Sequence, residues 1–140
     1  MTDYPVIVPG PGRDGDGTRL RHGGCTCGAV RFTVRGEPLV VGLCHCLDCR
    51  KATGGVAMPY ADWPRSAFHH DGAVRTFNGR SFCAVCGSRL FHIEAKTVEV
   101  MLGALDTAPG DLVPTQEGWV IRREHWLAPV PDARQSERDP

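Results

Sequence analysis

Seven cysteines in three tight groups are the residues of this chain best suited to chemistry. Cys25-Thr26-Cys27 is a Cys-x-Cys pair and Cys83-Ala84-Val85-Cys86 a Cys-x-x-Cys knuckle. Between them lies Cys44-His45-Cys46-Leu47-Asp48-Cys49, with three more. The two pairs supply four thiolates, the complete tetrahedral set that holds zinc when the metal only supports a fold. The middle group supplies three and leaves the tetrahedron one ligand short, as a metal that takes up a substrate requires. Disulfides fit this pattern poorly. Cysteines one residue apart point in opposite directions on an extended chain, and the total is odd. The spacing predicts two Zn2+ ions per chain, one structural and one working.

Pairing Cys25 and Cys27 with Cys83 and Cys86 would close a long loop. Coordination of this kind contributes folding free energy on the order of 10 kcal/mol. Gly87, just after the knuckle, lets the backbone turn so that amide N–H groups face the sulfurs. The three-cysteine group reads differently. Zinc with three thiolates carries a net negative charge, which damps its power to make hydroxide but suits it to another soft ligand, a substrate thiolate. Thiol handling is therefore the chemistry expected of Cys44, Cys46 and Cys49. His45 either closes that site as a fourth ligand or, wedged between two ligands, points away. Arg50-Lys51 either hold carboxylates of a thiol substrate or form a solvated basic pair. Asp48 suits a turn, and Thr53-Gly54-Gly55 a low-profile approach for a ligand.

The elements that must position these groups are short strands. Residues 29–35 alternate apolar and polar with β-branched side chains, the period of a half-buried strand. Residues 39–43, 56–60, 73–77, 89–93, 98–102 and 119–122 are further strand candidates, separated by turn signals at Gly36, Gly72, Asn78-Gly79 and Gly110. Single helical turns are expected only at 48–53 and 64–68. A mainly β domain over 19–129 follows, between a Gly/Pro/Asp-rich leader over 1–18 and a frayed, charged tail over 130–140. Within its 140 residues, Lys plus Arg and Asp plus Glu are sixteen each, so no net field favours nucleic acid or membrane. No stretch approaches the ~20 apolar residues of a membrane helix, and the start lacks a signal-peptide core. A cytoplasmic protein with reduced cysteines is expected, and its oligomeric state stays open.

The segments GGCTCGAVRF (23–32), LCHCLDCRKATGG (43–55), RSFCAVCGSRL (80–90) and GALD (103–106), with His125-Trp126 beyond them, resemble the glutathione-dependent formaldehyde-activating family, which includes the domain of centromere protein V. The resemblance covers about residues 20–129. It implies a β-tent fold of antiparallel sheets tied by zinc knuckles. It also implies a structural zinc on Cys25, Cys27, Cys83 and Cys86 and a catalytic zinc on Cys44, Cys46 and Cys49. The implied activity is that of a carbon–sulfur lyase, whose type case joins glutathione and formaldehyde as S-(hydroxymethyl)glutathione. The partner expected is a small thiol, with glutathione as the type substrate. A non-catalytic zinc scaffold that binds a protein, or a thiol redox switch, are the alternatives the same cysteines allow.

Other residues carry weaker signals. Arg80 is expected to neutralise the four-thiolate site or to lie on the surface. Asp106 is expected to cap a turn, His69-His70 to be solvated loop residues, and His92 to be a half-buried strand histidine. His125 is a distant candidate for the catalytic loop. Trp63, Trp119 and Trp126 read as core or rim.

Overall fold

Alternation along the strands decides the architecture, because it sends every second side chain to a common face. The computed structural model describes residues 12–13 and 18–140, so the expected leader over 1–18 lies almost wholly outside the described residues. The strands are β1 (Gly12–Arg13), β2 (Arg19–Gly24), β3 (Arg31–Arg35), β4 (Val40–Cys44), β5 (Met58–Pro64), β6 (Phe68–Asp71), β7 (Val74–Phe77), β8 (Arg80–Cys83), β9 (Arg89–Ile93), β10 (Thr97–Met101), β11 (Gln116–Gly118) and β12 (Arg134–Gln135). One helix, α1 (Leu47–Thr53), follows β4, and a 3-10 turn covers Arg65–Ala67. Four strands form one sheet in the order β1-β2-β3-β6. Eight form the other, β12-β11-β4-β5-β10-β9-β8-β7. The mainly β expectation holds.

The eight-stranded sheet has two differently made faces. Ala61 and Trp63 of β5, with Val98 and Val100 of β10, are fully buried against Phe32, Val34 and Phe68 of the smaller sheet. Phe91 joins this core, 4.8 Å from Phe68 and edge-on to it, a geometry worth about 0.5–1.5 kcal/mol beyond burial itself. Buried Trp63 keeps its indole N–H satisfied at the Gly36 carbonyl, 3.0 Å away. The intervening residues of the same strands, Met58, Tyr60 and Met101, face the other way and form a second cluster with Cys49 of α1.

Two segments depart from the sequence reading. Residues 119–122 are not a strand: Trp119 has a left-handed backbone (φ 56°) and starts a 3-10 turn over Val120–Arg122. That conformation ends β11 at Gly118, since a left-handed residue cannot continue a strand. The end of the chain, expected to fray, instead docks. Its strand β12 runs parallel to β11, and the Trp119 N–H groups donate to Arg138 O (3.0 Å, backbone) and Asp139 Oδ1 (2.8 Å, indole).

Glu117, fully buried in β11, anchors this end. Its carboxylate accepts from His45 Nε2, Val130 N and Gln135 Nε2, each at 2.8 Å, and lies 3.4 Å from Arg123 Nη2. Burial by itself would raise its pKa. The donors of Gln135, His45 and Val130, with the Arg123 charge, outweigh burial and hold it at about 2, against an ordinary 4.5. A lowered folded pKa stabilises above the unfolded value and is lost as pH falls toward the folded one. Wild type is therefore expected to lose stability between about pH 4.5 and about pH 2 more steeply than Glu117→Gln. At neutral pH, Glu117→Ala is expected to cost about 3–5 kcal/mol in urea unfolding.

Candidate metal centre

Two hairpins, one from each sheet, deliver the four paired cysteines. Cys25 and Cys27 lie in the β2–β3 turn of the small sheet, and Cys83 and Cys86 in the β8–β9 turn of the large one. Their four sulfurs all fall within 4.8 Å of one another. The Cys25–Cys27 and Cys27–Cys83 sulfurs are 3.5 and 3.7 Å apart, close to the ~3.8 Å edge of a tetrahedral zinc–thiolate site with 2.3 Å bonds. Backbone N–H groups converge on them: Val30 N on Cys25 Sγ at 3.2 Å, and Val85 N and Cys86 N on Cys83 Sγ at 3.4 Å. Gly87, with φ 79°, makes the turn that aims the knuckle.

Crowding divides the thiols. The Ser88 and Thr26 hydroxyls hold Cys86 down at about 5. At Cys27 the Ala29 N–H works against a rise, but desolvation and the neighbouring sulfurs still push it up to about 12. Sulfurs that cannot all ionise together, with amides aimed at them, fit a thiophilic cation.

The other three cysteines meet on the opposite face of the large sheet. Cys44 ends β4, Cys46 caps α1 and Cys49 lies in its first turn, buried, with all three sulfurs within 4.8 Å. The cap fixes the loop: Cys46 Sγ accepts from Cys49 N at 3.3 Å. Hydrogen bonding with Cys44 is the largest influence on Cys49. Against desolvation, and with help from Cys46 and Arg80, it takes Cys49 down to about 6. Cys44 shifts up in return, so the proton of the pair rests there. Three sulfurs this close, with no fourth His, Cys, Asp or Glu donor beside them among the described residues, fit an ion with one open position.

His45 is not the fourth donor. Its ring is fully buried on the far side of the loop, and its Nε2 is committed to Glu117, which can only accept. Arg50 has other work as well. It bonds Glu124 Oε1 at 2.5 Å and the Arg122 carbonyl at 3.3 Å, tying α1 to the 3-10 turn, while Lys51 is exposed. Arg80, expected beside the four-thiolate site, acts on Cys49 of the other one. The displacement follows from β8: Cys83 and Ser81 face the core, so Arg80 faces the other side.

Register fills out that face and adds Asp62 and Glu99, which the sequence reading did not place. Asp62, Glu99, His92 and Arg80 are successive cross-strand partners on β5, β10, β9 and β8. Desolvation, then Glu94, pushes Asp62 up to about 6; desolvation, then Asp62, pushes Glu99 up to about 7. A bulge between Ser81 and Phe82 lets Leu90 and Phe91 both turn into the core, which returns Arg89 to the side of Arg80. Strand alternation was the available signal, but the bulge breaks it at this point.

The remaining candidates lie elsewhere. Asp106 pairs with Arg31 on the small sheet, and His125 and Trp126 are exposed. His70 is not in a loop but on β6, its ring 5.0 Å from Phe91. Among the described residues, no helix is long and apolar enough to cross a membrane.

A family model described as "Glutathione-dependent formaldehyde-activating enzyme" matches residues 20–122, a span that contains all seven cysteines. No curated protein matches the chain.

Close packing around Tyr60 gives this face a direct test. Gly42 lies opposite Tyr60, and a Cβ there would come within 2.6 Å of its hydroxyl, which accepts from Gln116 Nε2 at 3.0 Å. Gly42→Ala is expected to lower stability by about 1–3 kcal/mol. Gly103→Ala, where a Cβ meets nothing within 4 Å, is expected to stay within about 0.5 kcal/mol. Thermal unfolding of the two variants checks the difference.

Proposed function

Because the chain belongs to the glutathione-dependent formaldehyde-activating family, we propose that it is a zinc-dependent carbon–sulfur lyase acting on a small thiol adduct. The type case is glutathione plus formaldehyde giving S-(hydroxymethyl)glutathione. The observation that carries this reading is the set of three sulfurs, Cys44, Cys46 and Cys49, lacking a fourth partner among the described residues and seated on a face lined with ionisable side chains. Zinc held there would supply a soft cationic position that keeps a substrate thiol ionised.

The chain's own residues do the rest. Cys46 as helix cap, and Cys49 packed against Met58, Tyr60 and Met101, hold the loop in one arrangement. Arg80 offsets the negative charge that gathers at Cys49. A substrate thiolate would attack the formaldehyde carbon, forming the C–S bond and leaving an alkoxide that needs a proton. Glu99, raised to about 7, keeps one near neutrality and is the acid we assign to this step. Cys25, Cys27, Cys83 and Cys86 would hold a second zinc that joins the two sheets.

Metal analysis divides the labour. Zinc-loaded wild type is expected to carry two ions per chain and Cys46→Ser one, with little change in Tm. Cys83→Ser is expected to lose the other ion together with a large part of its thermal stability. Exchange NMR of glutathione, formaldehyde and their adduct then tests activity. The zinc-loaded protein should accelerate exchange over buffer and Cys46→Ser should not; equal rates for wild type and buffer would remove formaldehyde activation.

A further inference from the structure

His45 stands between two members of the three-cysteine group, and its side chain has a single directional hold. Nε2 bonds Glu117 Oε1 at 2.8 Å, while Nδ1 is buried without a hydrogen-bond partner among the described residues. The backbone is tied to the same strand. His45 N donates to Gly118 O at 3.1 Å, and Cys44 pairs with Gly118 across β4 and β11. Cys44 ends its strand and Cys46 has an extended backbone (φ −64°, ψ 159°). Successive side chains of extended chain point to opposite sides. A ring fixed on the Glu117 side therefore sends Cys44 and Cys46 to the other side, where Cys49 lies.

Glu117 is held in turn by residues that come later in the chain. Its Oε2 accepts from Val130 N and Gln135 Nε2, each at 2.8 Å, and Arg123 Nη2 lies 3.4 Å from Oε1. All three residues lie beyond 20–122, the span that the family model matches. Backbone hydrogen bonds seat the segment that carries Gln135. Arg134 N donates to Thr115 O and Ser136 N to Glu117 O, both at 2.9 Å. A run of contacts thus leads from the C-terminal segment, through one carboxylate and one imidazole, to the cysteine loop.

We propose that Glu117, acting through His45, is a positioning residue for Cys44 and Cys46, and that the segment over 130–135 sets how firmly the three sulfurs hold a metal. The proposal rests on the reading of Cys44, Cys46 and Cys49 as a zinc site. Close thiolates repel one another, so holding them together takes a brace from outside the group. A brace already in place reduces the ordering needed on binding and slows loss of the ion. The four-thiolate group is built by two other hairpin turns, on the opposite face of the large sheet. Its ion is therefore an internal standard.

Release of zinc from the loaded full chain to a chromogenic chelator tests this without turnover. Wild type is expected to release two ions in two phases, and Cys46→Ser, which lacks one, shows which phase belongs to the three sulfurs. His45→Met fills the space of the ring without an N–H. It is expected to speed that phase by about 10–100-fold, the scale on which partners outside a metal's own ligands act. The four-thiolate phase is expected to stay unchanged. His45→Gln, whose amide N–H can replace that of the ring, is expected to keep the wild-type rate. Gln135→Leu, at an exposed position, is expected to speed the same phase by about threefold or more, the scale of one hydrogen bond. It decides alone if His45→Met does not fold. An unchanged three-sulfur phase in both variants overturns the proposal, and so does a His45→Gln as fast as His45→Met. Equal acceleration of both phases overturns it as well, since a merely structural brace would act on both ions. Acceleration in His45→Met but not in Gln135→Leu overturns the part given to the C-terminal segment. If wild type carries one zinc and Cys46→Ser keeps it, the zinc-site reading fails, and the proposal with it.

Discussion

Four sulfur atoms within 4.8 Å of one another are a demanding thing to build, and much of the architecture follows from meeting that demand. Thiolates at such separations repel unless they share a proton or a cation. The β2–β3 turn of one sheet and the β8–β9 turn of the other must also arrive at the same point in the same register. Cys25 and Cys83 are buried members of the core that both sheets share, and Cys27 and Cys86 are exposed above it. The junction is thus continuous with the hydrophobic core on one side and open to solvent on the other. Held there, the small sheet can cover only one face of the large one.

That one-sided cover creates the site. The covered face is apolar because Trp63, Val98, Val100 and Phe91 must lose their water. The same strands place Asp62, Glu99, His92 and Arg80 on the opposite face, where α1 and its cysteines lie. Partial burial there is what lifts the two carboxyls toward neutrality. Core and site are therefore two sides of one alternation. The C-terminal segment adds a brace from the edge: Glu117 ties His45, Val130 and Gln135 together and turns the histidine away from the three sulfurs, two of which flank it in sequence.

Both cysteine groups were legible in the sequence because residues that could hold a metal declare themselves by type and spacing. Most strands were legible because Val, Phe and Thr alternate with polar residues. Residues 119–122 misled because Trp, Val and Ile suit a strand, whereas the left-handed backbone at Trp119 is a tertiary outcome. The C-terminal segment misled for a related reason. Pro and charge imply fraying only when no edge strand is available, and β11 offered one.

The sequence by itself determined the mainly β character and the division of the cysteines into groups of four sulfurs and three. These depend on residue type and on separations of a few positions along the chain. Which charges surround the three sulfurs was decided only in three dimensions. Arg50 is adjacent in sequence yet bound to Glu124, whereas Arg80 and Arg89 come from strands far along the chain. Cross-strand register and a single bulge bring them to that face. Register is a property of pairs of strands, set by which faces both strands bury and by the turns between them, so one segment read alone does not give it.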